Sequence, residues 1–270
     1  MTKTKKRFLF YGFLVIFLLG TCVTILYAQG YKYDFTRSAF VKTGALSLKT
    51  NIDADVYIND KYAGPTSFFG STFRMDRLLP GIYVVKIEKV GFSSWTKKIT
   101  ISEGFVSDFS HIMLLPNGGS DNKAMKLEIV ENNNNFTAEM RLITNAKNQK
   151  KILRIPGLSD YYFKEGSILK ITDNSDEIHI TTIADEIVGY SLSPDKDKIA
   201  WWNNNELYIY WIRSPSYYNR LVGTNELLSR YSTTIESAGW FRDSDHVLVN
   251  VGSNKIVEVD TRGGINIVTL

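Results

Sequence analysis

Leu192-Ser193-Pro194-Asp195-Lys196-Asp197-Lys198-Ile199-Ala200-Trp201 is matched about 48 residues later by Trp240-Phe241-Arg242-Asp243-Ser244-Asp245-His246-Val247-Leu248-Val249. Each copy runs from an apolar residue through an aspartate-centred turn into an apolar stretch. A second polar turn follows, then Glu206-Leu207-Tyr208-Ile209 in one case and Lys255-Ile256-Val257-Glu258-Val259 in the other. A weaker echo is Gly166-Ser167-Ile168-Leu169-Lys170-Ile171. Self-similarity at a fixed period marks a chain built from repeated supersecondary units. Short alternating runs bounded by Asn, Asp, Gly and Pro mark those units as β-strands. The second half of the chain reads this way throughout, with strands predicted at Leu127–Val130, Phe136–Ile143, Ser167–Thr172, Ile178–Thr182, Leu207–Trp211, Val247–Asn250, Ile256–Val259 and Ile265–Val268. Asn132–Asn135 and Asn203–Asn205 are the predicted hairpin turns.

Upstream, residues 117–123 (Asn-Gly-Gly-Ser-Asp-Asn-Lys) have linker composition, and residues 43–116 again show period two. Leu46 and Leu48 alternate with Ser47 and Lys49, and Tyr83, Val85 and Ile87 with Val84, Lys86 and Glu88. Asn59-Asp60 sits where a tight hairpin turn belongs, because both residues tolerate left-handed backbone. Ala54-Asp55-Val56-Tyr57-Ile58-Asn59-Asp60-Lys61, Gly64-Pro65-Thr66, Leu79-Pro80-Gly81-Ile82-Tyr83 and Gly91-Phe92-Ser93-Ser94-Trp95 together resemble a PEGA domain. The turns depart from that pattern, with Asn59-Asp60 for Asp-Gly and Gly64-Pro65-Thr66 for Gly-x-Thr-Pro. The resemblance implies a small β-sandwich of prokaryotic surface proteins, without catalytic residues. Tyr83, Phe92 and Trp95 are read as core packing, since burying an aromatic ring is explained by stability alone.

The repeat over residues 186–270 resembles the strand-turn-strand of TolB-like and WD40-like β-propellers, and residues 124–185 do so loosely. Lys196 stands where that pattern has Gly. About 147 residues at roughly 40–48 per blade give three to three and a half blades, whereas closed propellers have about four to eight. A chain truncated at its C-terminus is the first reading, and an open stack or a propeller completed by a partner are the others. The fold class expected is therefore all-β: an N-terminal transmembrane helix, a small PEGA-like β-sandwich and a partial β-propeller.

Phe8 to Ala28 is about 21 residues without a charge, long enough to cross a hydrocarbon core as a helix. Lys3, Lys5, Lys6 and Arg7 precede it, so the positive-inside rule places residues 1–7 in the cytoplasm and the rest outside. Three readings stand in order: an uncleaved anchor over 8–28, a lipoprotein modified at Cys22 after Leu19-Gly20-Thr21, and a signal peptide cleaved after Ala28. Residues 29–42 are expected to form a stalk. A sensor with a cytoplasmic output fails on length, since about seven residues inside are too few for a domain.

The net charge of +4 resides in the N-terminal cluster; from Gly30 onward the remaining 28 basic residues meet 28 acidic ones. That balance argues against a nucleic-acid role, which needs a basic face. Cys22 is the single cysteine, so no intrachain disulfide or Cys-based zinc site can form. His111, His179 and His246 are the only histidines. Asp195 and Asp197, or Asp173 to Glu177, lack the Gly and Glu of a calcium loop and read as solvated turns. No cofactor, metal site or catalytic residue is expected.

The aromatic-rich region Trp201 to Tyr218 should pack mostly between blades, with Trp202, Tyr208, Tyr210, Tyr217 and Tyr218 as candidates for an exposed binding face. The function expected is a non-catalytic, membrane-anchored scaffold of the cell envelope that presents β-domains to a protein or a cell-wall glycan. Self-association through an open propeller edge is the other partner considered. The alternative is the N-terminal part of a propeller-containing surface peptidase or hydrolase whose catalytic domain is absent.

Overall fold

The structure, a computed structural model, describes residues 3–117, 142–145, 148–153, 161–164, 166–174, 177–214 and 220–270. Most of the expected linker, the strand at Leu127–Val130, the turn at Asn132–Asn135 and most of Phe136–Ile143 lie outside the described residues. Among the described residues the regular structure is all strand apart from one apolar helix, α1 (Lys3–Ala28), and the chain divides into two compact units.

The first unit holds α1 and then β1 (Tyr31–Asp34) and β2 (Ala39–Lys42), which pair antiparallel. The segment expected as a stalk is thus a hairpin. Its turn is closed by Asp34, whose carboxylate accepts the Thr36 amide at 2.8 Å, and Ser38 takes a left-handed φ of 50°. A turn made this way carries no Gly or Asn-Gly signal, which is why it is silent in the sequence.

Beyond the hairpin lie β3 (Gly44–Thr50), β4 (Asp55–Ile58), β5 (Lys61–Pro65), β6 (Thr72–Leu78), β7 (Gly81–Glu88), β8 (Trp95–Ile101) and β9 (Val106–Ile112). They form two sheets, ordered β6-β3-β9 and β5-β4-β7-β8. Within the first sheet β3 runs antiparallel to β6 and parallel to β9. Asn59 and Asp60 turn β4 into β5 with φ of 51° and 61°, the left-handed conformation their side chains tolerate. One face of each sheet is apolar: Leu46, Leu48, Val56, Val85, Ile87, Ile99 and Ile101 are all buried. The Trp95 and Phe109 rings meet edge-on at 5.9 Å, joining the two sheets. Trp95 is therefore a core residue, while Tyr83 and Phe92 are half-buried. The Tyr83 hydroxyl donates to the Leu79 carbonyl at 2.9 Å and so clamps the Leu79-Pro80-Gly81 corner.

The second unit contains three antiparallel sheets among the described residues, each with strands in sequence order. The first is β10 (Leu142–Asn145), β11 (Asn148–Leu153), β12 (Tyr161–Lys164), β13 (Ser167–Asn174) and β14 (Glu177–Asp185). The second is β15 (Gly189–Leu192), β16 (Lys198–Trp202), β17 (Glu206–Trp211) and β18 (Asn225–Arg230), and the third β19 (Ser237–Trp240), β20 (His246–Asn250), β21 (Asn254–Glu258) and β22 (Ile267–Thr269).

Alternation assigns each residue of the middle sheet to a side. Ala200, Trp202, Leu207, Ile209 and Trp211 pack with Trp240, Val247, Val249 and Val257 of the third sheet. Ile199, Trp201 and Tyr210 pack on the other side with Tyr161, Phe163, Ile168 and Ile183 of the first. Every residue of β16 is buried as a result, whereas β8, solvated on one face, alternates buried and exposed. On the third sheet the face opposite Val247 and Val249 is buried too, at Leu248 and Ile256.

Candidate functional site

The aromatic candidates divide by where the strands send them. Trp202 and Tyr210 are buried, at 7% and 4% exposure. The expected exposure of these two is corrected: the middle sheet is covered on both faces, and alternation therefore sends both rings into a core. Tyr217 and Tyr218 lie outside the described residues. Tyr208 remains half-exposed, with its ring stacked on Trp201 at 4.2 Å between centroids. Its hydroxyl donates to Glu206 Oε2 at 2.8 Å, and Glu206 also accepts from Asn203 Nδ2 at 3.0 Å and Arg230 Nε at 2.7 Å. Hydrogen bonds from Asn203, Tyr208 and Arg230 hold the Glu206 carboxyl below its usual range. The same bond to Glu206, followed by burial, raises the Tyr208 phenol. An aromatic plate, a fixed carboxylate and an exposed guanidinium thus share one surface. That combination suits stacking on, and hydrogen bonding to, a polar ligand rather than nucleophilic chemistry.

The two turns of the sequence repeat superimpose in their bonding. Lys196 and Ser244 both take left-handed φ, 65° and 62°. The amide of Asp197 donates to Asp195 Oδ1 at 3.1 Å, as that of Asp245 does to Asp243 Oδ1 at 3.0 Å. Each aspartate then pairs with a base three residues on: Asp195 with Lys198 at 2.7 Å, Asp243 with His246 Nδ1 at 2.7 Å. The turns also touch, since the Asp195 amide donates to Ser244 Oγ at 3.0 Å, and nearby the Trp240 indole donates to the Ser191 carbonyl at 2.9 Å. Lys198 is fully buried, with Nζ 5.6 Å from the Trp211 ring and 5.7 Å from the Trp240 ring. The Asp195–Asp197 turn, expected to be solvated, instead holds a buried lysine through Asp195. His246 begins β20. The signal that was missed is Asp-x-x-base at the same place in both copies.

Burial opposes charge on His246, but the hydrogen bond and charge of Asp243, with Glu258 and Asp245, outweigh it and raise its pKa above the ordinary 6.5. A proton held more tightly in the folded chain stabilises it fully below that ordinary value. The contribution is lost as pH climbs through the raised one. The urea midpoint of the second unit is expected to fall on going from mildly acidic to mildly alkaline pH, and His246→Gln should flatten that slope. An unchanged slope in His246→Gln would assign the pH dependence elsewhere.

In the first unit the junction with α1 is itself a site. Arg77, near the end of β6, takes a left-handed φ of 60°, a conformation that costs a non-glycine residue about 1 kcal/mol or more. Its guanidinium lies 3.9 Å from the centroid of the Tyr27 ring and bonds the Tyr27 hydroxyl. Among the described residues no group of three or more His, Cys, Asp or Glu is placed to hold a metal ion.

No protein-family profile matches the chain, and no curated protein matches it. Among solved structures, a candidate 6-phosphogluconolactonase from Bacteroides uniformis aligns over 70% of this chain at 10% identity and a TM-score of 0.28. The alignment spans about half of that protein, 53% of its chain.

Proposed function

We propose that the chain is a non-catalytic scaffold of a prokaryotic cell envelope, held by α1 as an uncleaved anchor with its N-terminus in the cytoplasm. Outside the membrane it carries a PEGA-like β domain and propeller-like blades that present a binding face to a protein or a cell-wall glycan. Tethering raises the effective concentration of that face near the membrane.

The observation that carries this reading is the Arg77–Tyr27 contact. Tyr27 lies on the N-terminal side of the signal-peptidase cut considered after Ala28, so a contact made by Tyr27 supports a helix end kept with the folded domain over a discarded leader. Helix α1 is long and apolar enough to cross a membrane, with mean hydropathy 2.4. The propeller-like reading is supported by successive antiparallel sheets packed face to face and by the matched Asp195 and Asp243 turns. The buried Trp95 and the Leu79-to-Tyr83 clamp support the PEGA-like one. Within the blades, Tyr208, Glu206 and Arg230 form the face we assign to binding.

Alkaline carbonate extraction and external proteolysis of spheroplasts test the anchor and its direction. The full-length chain should stay in the membrane pellet and be degraded from outside down to the α1 region. Release by carbonate, or protection from external protease, would contradict the anchor or its orientation respectively.

A further inference from the structure

The strand directions of the first unit place several turns at the end from which α1 leaves. Gly44 opens β3 and pairs with Leu78, the last residue of β6. Ala45 pairs with Val106 at the start of β9, and Gly81 at the start of β7 pairs with Ile101 at the end of β8. The 77–81 and 102–105 turns therefore share this end with the β1–β2 hairpin. The hairpin is bound there, because the Thr43 amide donates to the Gly30 carbonyl at 2.9 Å and the Gly104 amide to the Thr43 carbonyl at 3.1 Å. Arg37 in the hairpin turn bridges Asp34 at 3.6 Å and Glu103 at 3.8 Å.

This end exposes several apolar side chains. Phe35 is 87% exposed, Ile82 and Phe105 each 70%, Val106 50% and Phe40 47%. Phe35 and Phe40 both pack edge-on against Tyr33, at 5.0 and 5.2 Å, so the hairpin carries one aromatic cluster rather than scattered rings. Clustered exposed apolar groups of this kind mark an interaction surface.

Distance selects the occupant. The uncharged part of α1, residues 8–28, is roughly 31 Å long at about 1.5 Å per residue, which fills a hydrocarbon core of about 30 Å. Ala28 then stands at the boundary of that core. From Ala28 to Gly30, where the hairpin closes, the chain can span at most about 7 Å. The headgroup layer on each side is about 5–7 Å deep. The base of the hairpin, and the turn bonded to it, cannot clear that layer.

Resting on the anchor reading above, we infer that this end of the β domain is itself a lipid-docking surface. Phe35, Phe40, Ile82, Phe105 and Val106 enter the interface of the bilayer that α1 crosses, with Tyr33 and Tyr27 at headgroup level. Aromatic rings favour that zone. Lys32 and Lys42 of the hairpin add cations able to meet lipid phosphates. The β domain is then held flat against the membrane rather than carried above it.

Site-directed spin labelling of the full chain in phosphatidylcholine–phosphatidylglycerol nanodiscs tests this. Labels go on native Cys22 and, in a Cys22→Ser background, on Phe35→Cys, Phe105→Cys and Phe68→Cys. Phe68 is 81% exposed and lies between β5 and β6, at the opposite end of the domain. Oxygen should collide with the labels at 35 and 105 several-fold more, relative to a water-soluble nickel chelate, than at 68. The label on Cys22 should read as hydrocarbon. Water-like labels at 35 and 105 with Cys22 still in lipid would overturn docking and leave the anchor standing. A water-like label on Cys22 would overturn the anchor and docking together. Labels at 35 shielded from both reagents and dipole-coupled between chains would replace the lipid by a second copy.

Discussion

Replacing Asp195 by alanine is expected to lower the stability of the second unit by about 3 kcal/mol, while Asp195→Ala combined with Lys198→Met costs less than that single change. The reason is the desolvated ammonium. Lys198 has no exposed side-chain surface, and its charge is met by Asp195 Oδ2 at 2.7 Å. Removing a partner from a buried pair leaves a charge that water cannot reach, at about 3–5 kcal/mol. Asp195 keeps 30% of its side chain exposed, so solvent screens part of the loss and the low end of that range applies. Methionine keeps the length and apolar stem of Lys198 against Trp211 and Trp240 without the charge, which is why the double change recovers stability. Urea unfolding followed by tryptophan fluorescence reads this directly, since Trp201, Trp202, Trp211 and Trp240 all lie in this unit and only Trp95 lies outside it. Equal losses from the single and the double change would mean that Asp195 acts through its turn bonds to Ser193 and Asp197 and not through Lys198.

The same residues show what was legible in the sequence. Period-two alternation located β13, β17, β20 and β21 closely, because each is a short apolar-polar run between turn formers. The repeat around Ser193 and Phe241 gave the two turns, and they share their backbone bonds and the Asp-to-base pair, although the Lys198 amide donates to Ser193 Oγ where that of His246 donates to Asp243 Oδ1. Lys196 departs from the expected glycine yet adopts the left-handed φ that a glycine would, so the turn is kept by its bonds, including the Lys196 amide to the Ser193 carbonyl at 2.9 Å. What alternation cannot tell is how many faces of a sheet are covered. Trp202 and Tyr210 belong to opposite faces of the middle sheet, and each face meets another sheet, so both rings are buried. Lys198 was unreadable for a related reason: lysine is almost never fully buried unless paired, and the pairing depends on a turn that returns Asp195 to it. The β1–β2 hairpin was hidden by its composition, since its turn is made by Asp34 and Ser38 around Phe35-Thr36-Arg37, with no Gly or Pro and no Asn-Gly pair to mark it.

Trp202 supplies the other large effect, and it separates a core role from the binding role its sequence position first indicated. Trp202 faces Gly189 across the β15–β16 ladder, and its indole lies over that glycine. A Cβ built at Gly189 would come within 2.6 Å of Trp202 Cε2 and 2.9 Å of Cη2. The ring is rigid and packed among Leu207, Trp240 and Val249, so it cannot swing aside cheaply. Trp202→Ala is expected to cost about 3–5 kcal/mol through lost transfer energy and the cavity left behind. Gly189→Ala should cost about 1–3 kcal/mol by overpacking against the ring. The two sites share one contact, so Gly189→Ala with Trp202→Leu should cost less than the sum of its parts: the smaller side chain vacates the space that the new methyl needs. Strict additivity would show that the indole does not rest on Gly189. A Trp202→Ala chain with an unshifted urea midpoint and lost partner binding would give Trp202 a binding role, on the face of the sheet opposite Tyr208 and Glu206.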